Sequence, residues 1–141
     1  MDAIFQAVFM ESPEAIALTR AQDGVIVAVN REWLRLTGFS QEQVLGRTAI
    51  EIGLWPDALA RQQVLRPLSE EGRVHDVDLP LVLENAPPRV VCMSAVLLDV
   101  EGESHVLVYL RDVTAARQAQ AAAVANEQAL ALANETLNRQ I

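Results

Sequence analysis

The sequence contains a single cysteine, Cys92, among 141 residues. One cysteine excludes an intramolecular disulfide and any cysteine-rich zinc site, which suits a reducing cytoplasm. Basic residues are also scarce, since 11 arginines and lysines face 19 aspartates and glutamates and leave a net charge of −8. That charge disfavours non-specific binding to nucleic acid or to an anionic membrane surface.

Long apolar runs are missing as well. No stretch approaches the roughly 20 apolar residues that cross a bilayer. The start, Met1-Asp2-Ala3-Ile4, lacks the basic segment of a signal peptide. We therefore expect a cytoplasmic chain without membrane contact, and its length fits one domain of ordinary size.

The spacing of apolar residues predicts an α+β domain in which short helices pack over one face of a five-stranded antiparallel sheet. The turn dipeptide Asp23-Gly24 separates the first two apolar runs and indicates a hairpin. The predicted elements are an N-terminal helix at 4–10, strands at 15–19 and 25–29, helices beginning at Arg31, Ser40 and Pro56, and strands at 74–83, 90–98 and 105–110.

Two of these elements contain informative prolines. The third short helix is expected to begin at Pro56 and to kink or end near Pro67. Its buried side is expected to consist of Leu59, Val64, Leu65 and Leu68. In the strand at 74–83, Pro80 cannot donate to a β-ladder, which predicts an unpaired edge or a bulge.

Residues 115–141 contain neither glycine nor proline and predict one long C-terminal helix. Ala116, Ala123, Leu130 and Leu137 recur every seven residues, as along a coiled-coil seam. An isolated helix leaves such a seam in water, so we expect a homodimer through the terminal helices. The chain thus divides into an N-terminal helix segment at 1–12, a core at 13–114 and a signalling helix at 115–141.

Several landmarks occur in a recognisable order. Asn30 precedes Trp33 and the helix end Thr37-Gly38-Phe39, Gly53-Leu54-Trp55 lies before the third short helix, and Arg111-Asp112-Val113-Thr114 joins the last strand to the terminal helix. Over about residues 4–115 this pattern resembles the PAS family, in the form found beside bacterial histidine kinases and cyclic-dinucleotide enzymes. The resemblance implies a dimeric sensory module, not an enzyme, that relays a signal to an effector domain in the same polypeptide.

Three residues are candidates for that relay. Asn30 lies where a strand ends and a helix begins, a position that favours a structural cap. Thr114 is expected to be the N-cap of the terminal helix, with Asp112 adding an acceptor near the positive end of the helix dipole. Because a strand here runs directly into a helix, a change in the sheet should move the helix.

Catalytic and cofactor signatures are not found. His75 and His105 are expected at separate, solvated strand edges, without a nucleophile, a carboxylate pair or a metal cluster nearby. Flavin photosensors of the family carry a cysteine where this chain has Ala49, and the stretch from Pro56 to Gly72 has no histidine for haem. The sequence predicts neither a cofactor nor a metal.

A small apolar ligand between the helices and the sheet remains an option. The candidate lining is Ile50, Leu54, Trp55, Leu65 and Met93, although the same residues would serve as plain core. Two alternatives stay open: a ligand-free dimerisation and relay module, and a cone-shaped isomerase-like enzyme, which would need an ionisable group inside its cavity. A kinase, a cyclase and a transcription regulator are all compatible outputs.

Overall fold

The computed structural model describes residues 3–84 and 86–139 and confirms the predicted α+β architecture. The helices are α1 (Ala3–Glu11), α2 (Arg31–Thr37), α3 (Gln41–Val44), α4 (Ala58–Leu65), α5 (Pro67–Glu71) and α6 (Thr114–Arg139). The strands are β1 (Ala15–Arg20), β2 (Ile26–Val29), β3 (Arg73–Leu81), β4 (Arg89–Val100) and β5 (Glu103–Asp112). The predictions for residues 1–2, 85 and 140–141 lie outside the described residues.

All five strands form one antiparallel sheet in the order β2-β1-β5-β4-β3. The predicted hairpin around Asp23-Gly24 is confirmed, with Ala17 opposite Val29. The last strand, β5, lies at the centre because it pairs with β1 on one side and with β4 on the other. The strand that leads into the terminal helix is therefore held from both sides.

Strand β3 forms one edge of the sheet, which confirms the expectation for Pro80. The ladder with β4 is interrupted between Val74 and Val77, and Asp76 there has a left-handed φ of 45°. Leu83 was predicted to continue the strand, but β3 ends at Leu81. Because of the bulge and the early end, side chains in 74–83 do not alternate strictly between the two faces of the sheet, although the sequence pattern predicts that they do.

Helix α4 differs from its prediction in start and orientation. It begins at Ala58, and Asp57 is its N-cap, since the carboxylate accepts a 2.8 Å hydrogen bond from the amide of Ala60. The assignment of Leu59 to the buried side is wrong, because its side chain is 61% exposed. The inward face instead carries Ala60, Arg61, Val64 and Leu65, which are spaced three and four residues apart. The break expected near Pro67 is confirmed: α4 ends at Leu65 and Pro67 starts α5.

Asn30 lies between β2 and α2 in the chain, and its side chain links α2 to β1. Its side chain is fully buried, and its Oδ1 accepts hydrogen bonds from the amides of Ile16 at 2.9 Å and Trp33 at 3.0 Å. Its Nδ2 donates to the carbonyl of Glu14 at 2.8 Å. The predicted cap is thus confirmed, and the same side chain also extends the pairing of β1 beyond the end of β2.

The core is divided into two clusters of buried residues. One lies beneath α2 and α3 and contains Ala15, Ala17, Ile26, Val29, Trp33 and Val44. The other lies beneath α5 and contains Leu68, Val74, Met93, Ala95 and Val106. Leu110 of the central strand packs against both clusters, and the space between them is where a cavity remains.

We predict that Asn30→Ala lowers the free energy of unfolding by about 2–4 kcal/mol, because it removes a helix cap and leaves buried backbone groups unpaired. Urea unfolding monitored by tryptophan fluorescence measures the loss. The matched control is Asp57→Ala, which removes an exposed cap and should cost about 1 kcal/mol. Equal losses in both variants would show that Asn30 is an ordinary cap.

Candidate functional site: an apolar cavity and a strand-to-helix junction

A cavity of about 220 Å³ lies between α4 and the inner face of the sheet. Both core clusters contribute to its walls, and the cavity is partly open to solvent. Its lining consists of Ala17, Thr19, Gly24, Ile26, Trp33, Ala49, Leu54, Trp55, Pro56, Ala60, Arg61, Val64, Leu65, Leu79, Pro80, Leu81, Val91, Met93, Val106, Val108 and Leu110.

The structure brings four of the five residues expected from sequence to this cavity: Leu54, Trp55, Leu65 and Met93. Ile50 was also expected there, but it does not belong to the lining and is half-buried elsewhere. It lies in the irregular segment between α3 and α4, whose side-chain directions have no period from which to predict an inward face.

The walls are almost entirely apolar. Thr19 is the main neutral polar residue, and its hydroxyl lies 3.5 Å from the carbonyl of Val106, at the limit of hydrogen-bond length. Among the described residues of the lining, Arg61 alone is ionisable. The apolar pattern of α4 did not indicate Arg61, because it predicted Leu59 on the inner side instead.

Cys92 lies on the opposite face of the sheet from the cavity. Its neighbours Val91 and Met93 line the cavity, whereas Cys92 borders a smaller polar recess, and its Sγ lies 3.7 Å from Oδ1 of Asp76. Burial, followed by the charge of Asp76, raises the pKa of the Cys92 thiol. Ala49 does line the cavity, and it presents only a methyl group there.

The two histidines do not form a site. His75 is exposed, but His105 is buried, and its Nδ1 lies 2.9 Å from the carbonyl of Glu103. The expectation of a solvated strand edge is wrong for His105, because β5 is central and pairs His105 with both Arg20 and Leu98. Among residues 3–84 and 86–139, no three acidic, histidine or cysteine side chains gather to hold a metal, and no helix is long and apolar enough to span a membrane.

The junction between β5 and α6 is fixed to strand β4. Val113 is buried, and its amide donates to the carbonyl of Val90 at 2.9 Å. The amide of Arg117 donates to the carbonyl of Val113 at 2.8 Å, so Val113 occupies the capping position of α6. Thr114, the expected N-cap, is instead the first helical residue.

The hydroxyl of Thr114 bonds outside the helix. It accepts from the amide of Val90 at 2.9 Å and lies 2.6 Å from Oδ1 of Asp112, to which it donates. The same Oδ1 accepts the amide of Thr114 at 2.9 Å. These hydrogen bonds, from the hydroxyl first and then the amide, lower the pKa of the Asp112 carboxyl. Asp112 therefore supplies the acceptor at the helix start, and Thr114 attaches that start to the sheet.

Two arginines that the sequence did not indicate reinforce the junction. Arg89 lies 3.9 Å from the carboxylate of Asp112 and donates to the carbonyl of Leu36, at the end of α2, at 2.6 Å. Arg117, one turn into α6, binds Asp78 of the edge strand with two hydrogen bonds of 2.6 and 3.2 Å. Such paired contacts fix the orientation of one side chain relative to the other. Asp78 and Arg117 are 39 residues apart in sequence, and only the folded sheet brings them together.

Beyond its first turn, α6 leaves the core. Every described residue from 115 to 139 is exposed. The seam positions Ala116, Ala123, Leu130 and Leu137 all lie on this helix, and Leu130 and Leu137 are 64% and 59% exposed. A helix of 26 residues is about 39 Å long at 1.5 Å per residue.

Comparison with known proteins agrees with this geometry. A family model described as the PAS fold matches residues 9–118. Among curated protein sequences none matches. The PAS domain of an HTR-like protein from Haloarcula marismortui has 28% sequence identity and a TM-score of 0.66, over 78% of this chain and 89% of that chain.

Two further solved structures share the fold at lower identity. A PAS domain from a two-component sensor histidine kinase is 16% identical, with a TM-score of 0.63 over 77% of this chain and 93% of its own. The PAS domain, in complex with ethanol, of a LuxR-family transcriptional regulator from Burkholderia thailandensis is 17% identical, with a TM-score of 0.62 over 80% of this chain and 98% of its own. The similarity extends over most of the domain in each case.

We predict that the stabilisation due to Asp112 depends on pH. The pKa of its carboxyl is lowered by folding from an unfolded value of about 3.9, so its contribution is present above that pH and is lost as pH falls through the lowered value. The difference in free energy of unfolding between wild type and Asp112→Asn should therefore be largest near neutral pH and shrink below about pH 4.

Urea unfolding at a series of pH values measures this difference. Asp99→Asn, at an exposed residue of β4, controls for the loss of one negative charge. A difference between wild type and Asp112→Asn that stays constant from neutral to strongly acidic pH would contradict the prediction.

Proposed function

We propose that this chain, which belongs to the PAS fold family, is a sensory module that binds a small ligand in its cavity and relays occupancy through α6. The relay would act on an effector domain in the same polypeptide, through a pair of α6 helices from two protomers. The PAS domain of the sensor histidine kinase supports this class of role at the level of the fold.

The observation that carries the proposal is the short path from the cavity to α6. Leu110 of β5 lines the cavity only two residues before Asp112. On β3, Leu79 lines it next to Asp78, whose carboxylate holds Arg117 of α6. A ligand that displaces either strand would therefore act directly on a contact that fixes the start of α6.

The cavity itself favours ligand binding over a purely structural core. A well-packed interior has few voids larger than a water molecule, and an apolar void of about 150 Å³ stays dry and can bind a molecule such as benzene. The cavity here, at about 220 Å³, exceeds that size. The ethanol complex of the Burkholderia regulator supports a small organic ligand for this fold.

Non-covalent occupancy is the form of sensing that the residues support. The described part of the cavity wall contains no cysteine that could form an adduct with a flavin and no histidine that could bind haem iron. An isomerase-like reaction would require an acid or a base there. The described lining holds no aspartate, glutamate, histidine, lysine, tyrosine or cysteine that could serve as either, so an enzyme is disfavoured.

The exposure of α6 supports dimerisation through this helix. The helix has no buried residue within this chain, and an isolated helix gains little stability in water without a partner. A second copy would cover Leu130 and Leu137 along the seam. Exposed Phe5 and Val8 of α1 offer further apolar surface for the same interface.

We predict that Thr114→Val abolishes signalling while the domain still folds. The change keeps the branched shape but removes the hydroxyl that ties α6 to Val90 and Asp112, at a cost of about 1 kcal/mol. Output activity is measured in the full-length polypeptide, and the free energy of unfolding in this chain.

The matched control is Thr136→Val on the same helix, where the hydroxyl donates only to the carbonyl of Leu132 at 3.0 Å. Output should survive in the control. Unchanged output in Thr114→Val, with the fold intact, would show that the junction does not transmit the signal.

We predict a homodimer that Leu130→Glu converts to a monomer. The chain offers a matched control in Leu132→Glu, because both leucines are 64% exposed and only Leu130 lies on the seam. Multi-angle light scattering at high micromolar concentration should give a dimer mass for wild type and the control. A monomer mass for wild type, or equal disruption by both substitutions, would rule out the proposed seam.

A further inference from the structure

We propose that the ligand of the cavity is an organic monocarboxylate with an apolar body, which inserts its body between the two core clusters while Arg61 binds its carboxylate at the rim. This inference rests on the proposed function, since it assumes that the cavity is a ligand site. It adds a chemical class and a recognition residue to that site.

The guanidinium of Arg61 is without a partner in the described part of the chain. Six of the 11 arginines form ion pairs with aspartate or glutamate. Among the other five, Arg61 is half-buried, whereas the rest are exposed. Within residues 3–84 and 86–139 its guanidinium makes neither a hydrogen bond nor an ion pair, although the chain has an excess of acidic groups. A half-buried guanidinium without a protein partner keeps its N–H donors available to a ligand in the cavity.

The local structure keeps Arg61 available. Asp57 lies one helical turn earlier and is the natural partner on the surface of α4, but its carboxylate caps the helix through the amide of Ala60. The guanidinium lies over Gly24 in the β1–β2 turn, with Nη2 3.4 Å from where a Cβ of Gly24 would be. The side chain thus crosses from α4 to the hairpin along the cavity wall, where it remains partly exposed.

The cavity matches an apolar ligand body in both size and polarity. If a void of about 150 Å³ holds the six carbons of benzene, the cavity of about 220 Å³ holds roughly nine atoms of similar size. The seven-carbon tail of octanoate fits this space with its carboxylate left at the rim. A ligand with polar groups along its body would find almost no partners, because the walls near Leu79, Met93 and Val108 are hydrocarbon.

The chemistry of Arg61 favours a carboxylate as the head group of the ligand. A guanidinium presents paired N–H donors that match the two oxygens of a carboxylate. The net charge of −8 repels anions in general, so selective binding of one requires a local positive group such as Arg61. A neutral apolar ligand would instead cover Arg61 and leave its charge without a partner.

Isothermal titration of the full chain at pH 7 with octanoate and with 1-octanol tests the inference, because the two probes share a tail and differ in the head group. We expect octanoate to bind more tightly than octanol, and Arg61→Met to weaken octanoate binding about tenfold. Binding of octanol should be unchanged or strengthened in the same variant. Arg73→Met removes an equally unpaired but exposed arginine outside the cavity lining and should leave both affinities unchanged.

The outcomes separate this inference from the proposal on which it rests. Equal affinity for both probes, unaltered by Arg61→Met, would overturn the carboxylate assignment and leave the cavity as a ligand site. Equal weakening by Arg61→Met and Arg73→Met would also overturn it, since net charge alone would explain the effect. Failure of both probes to bind would overturn the ligand site together with its carboxylate specificity.

Discussion

The hydrogen bonds of Asn30 are the constraint on which the first half of the fold depends. A single amide side chain pairs with backbone groups of Glu14, Ile16 and Trp33, and so ends β2, extends β1 and begins α2. Because the amides of Ile16 and Trp33 would otherwise be buried and unpaired, the geometry has little freedom. That fixed corner positions Trp33, whose ring forms part of the cavity wall.

The cavity follows from how the two core clusters are built. The cluster beneath α2 and α3 is held by the Asn30 corner, and the cluster beneath α5 is held by β3 and β4. Leu110 on the central strand contacts both, but no large side chain fills the space between them. Unfilled apolar space reduces stability, and a ligand that binds the folded state would recover part of that loss. A gap of this kind is consistent with a sensor.

The terminal helix is attached at few points, and these explain why it could respond to the core. Thr114 bonds β4, and Arg117 bonds Asp78 of the edge strand, while the remaining turns of α6 touch no buried surface. The ion pair is exposed on both sides and therefore contributes modestly to stability. The ion pair links α6 to Asp78 of β3, and the next residue of that strand, Leu79, lines the cavity.

The sequence by itself determined the types and order of the elements, the hairpin at Asp23-Gly24, the cap at Asn30 and the break at Pro67, because these depend on residues within a few positions of each other. It also correctly indicated Leu54, Trp55, Leu65 and Met93 as cavity residues, since large apolar side chains favour the interior of a domain. Only the tertiary structure decided that Arg61 rather than Leu59 faces the cavity, that His105 is buried, and that the Thr114 hydroxyl binds β4 rather than its own helix. Each of these depends on which strand lies alongside, and the pairing of β5 between β1 and β4 joins segments far apart in sequence.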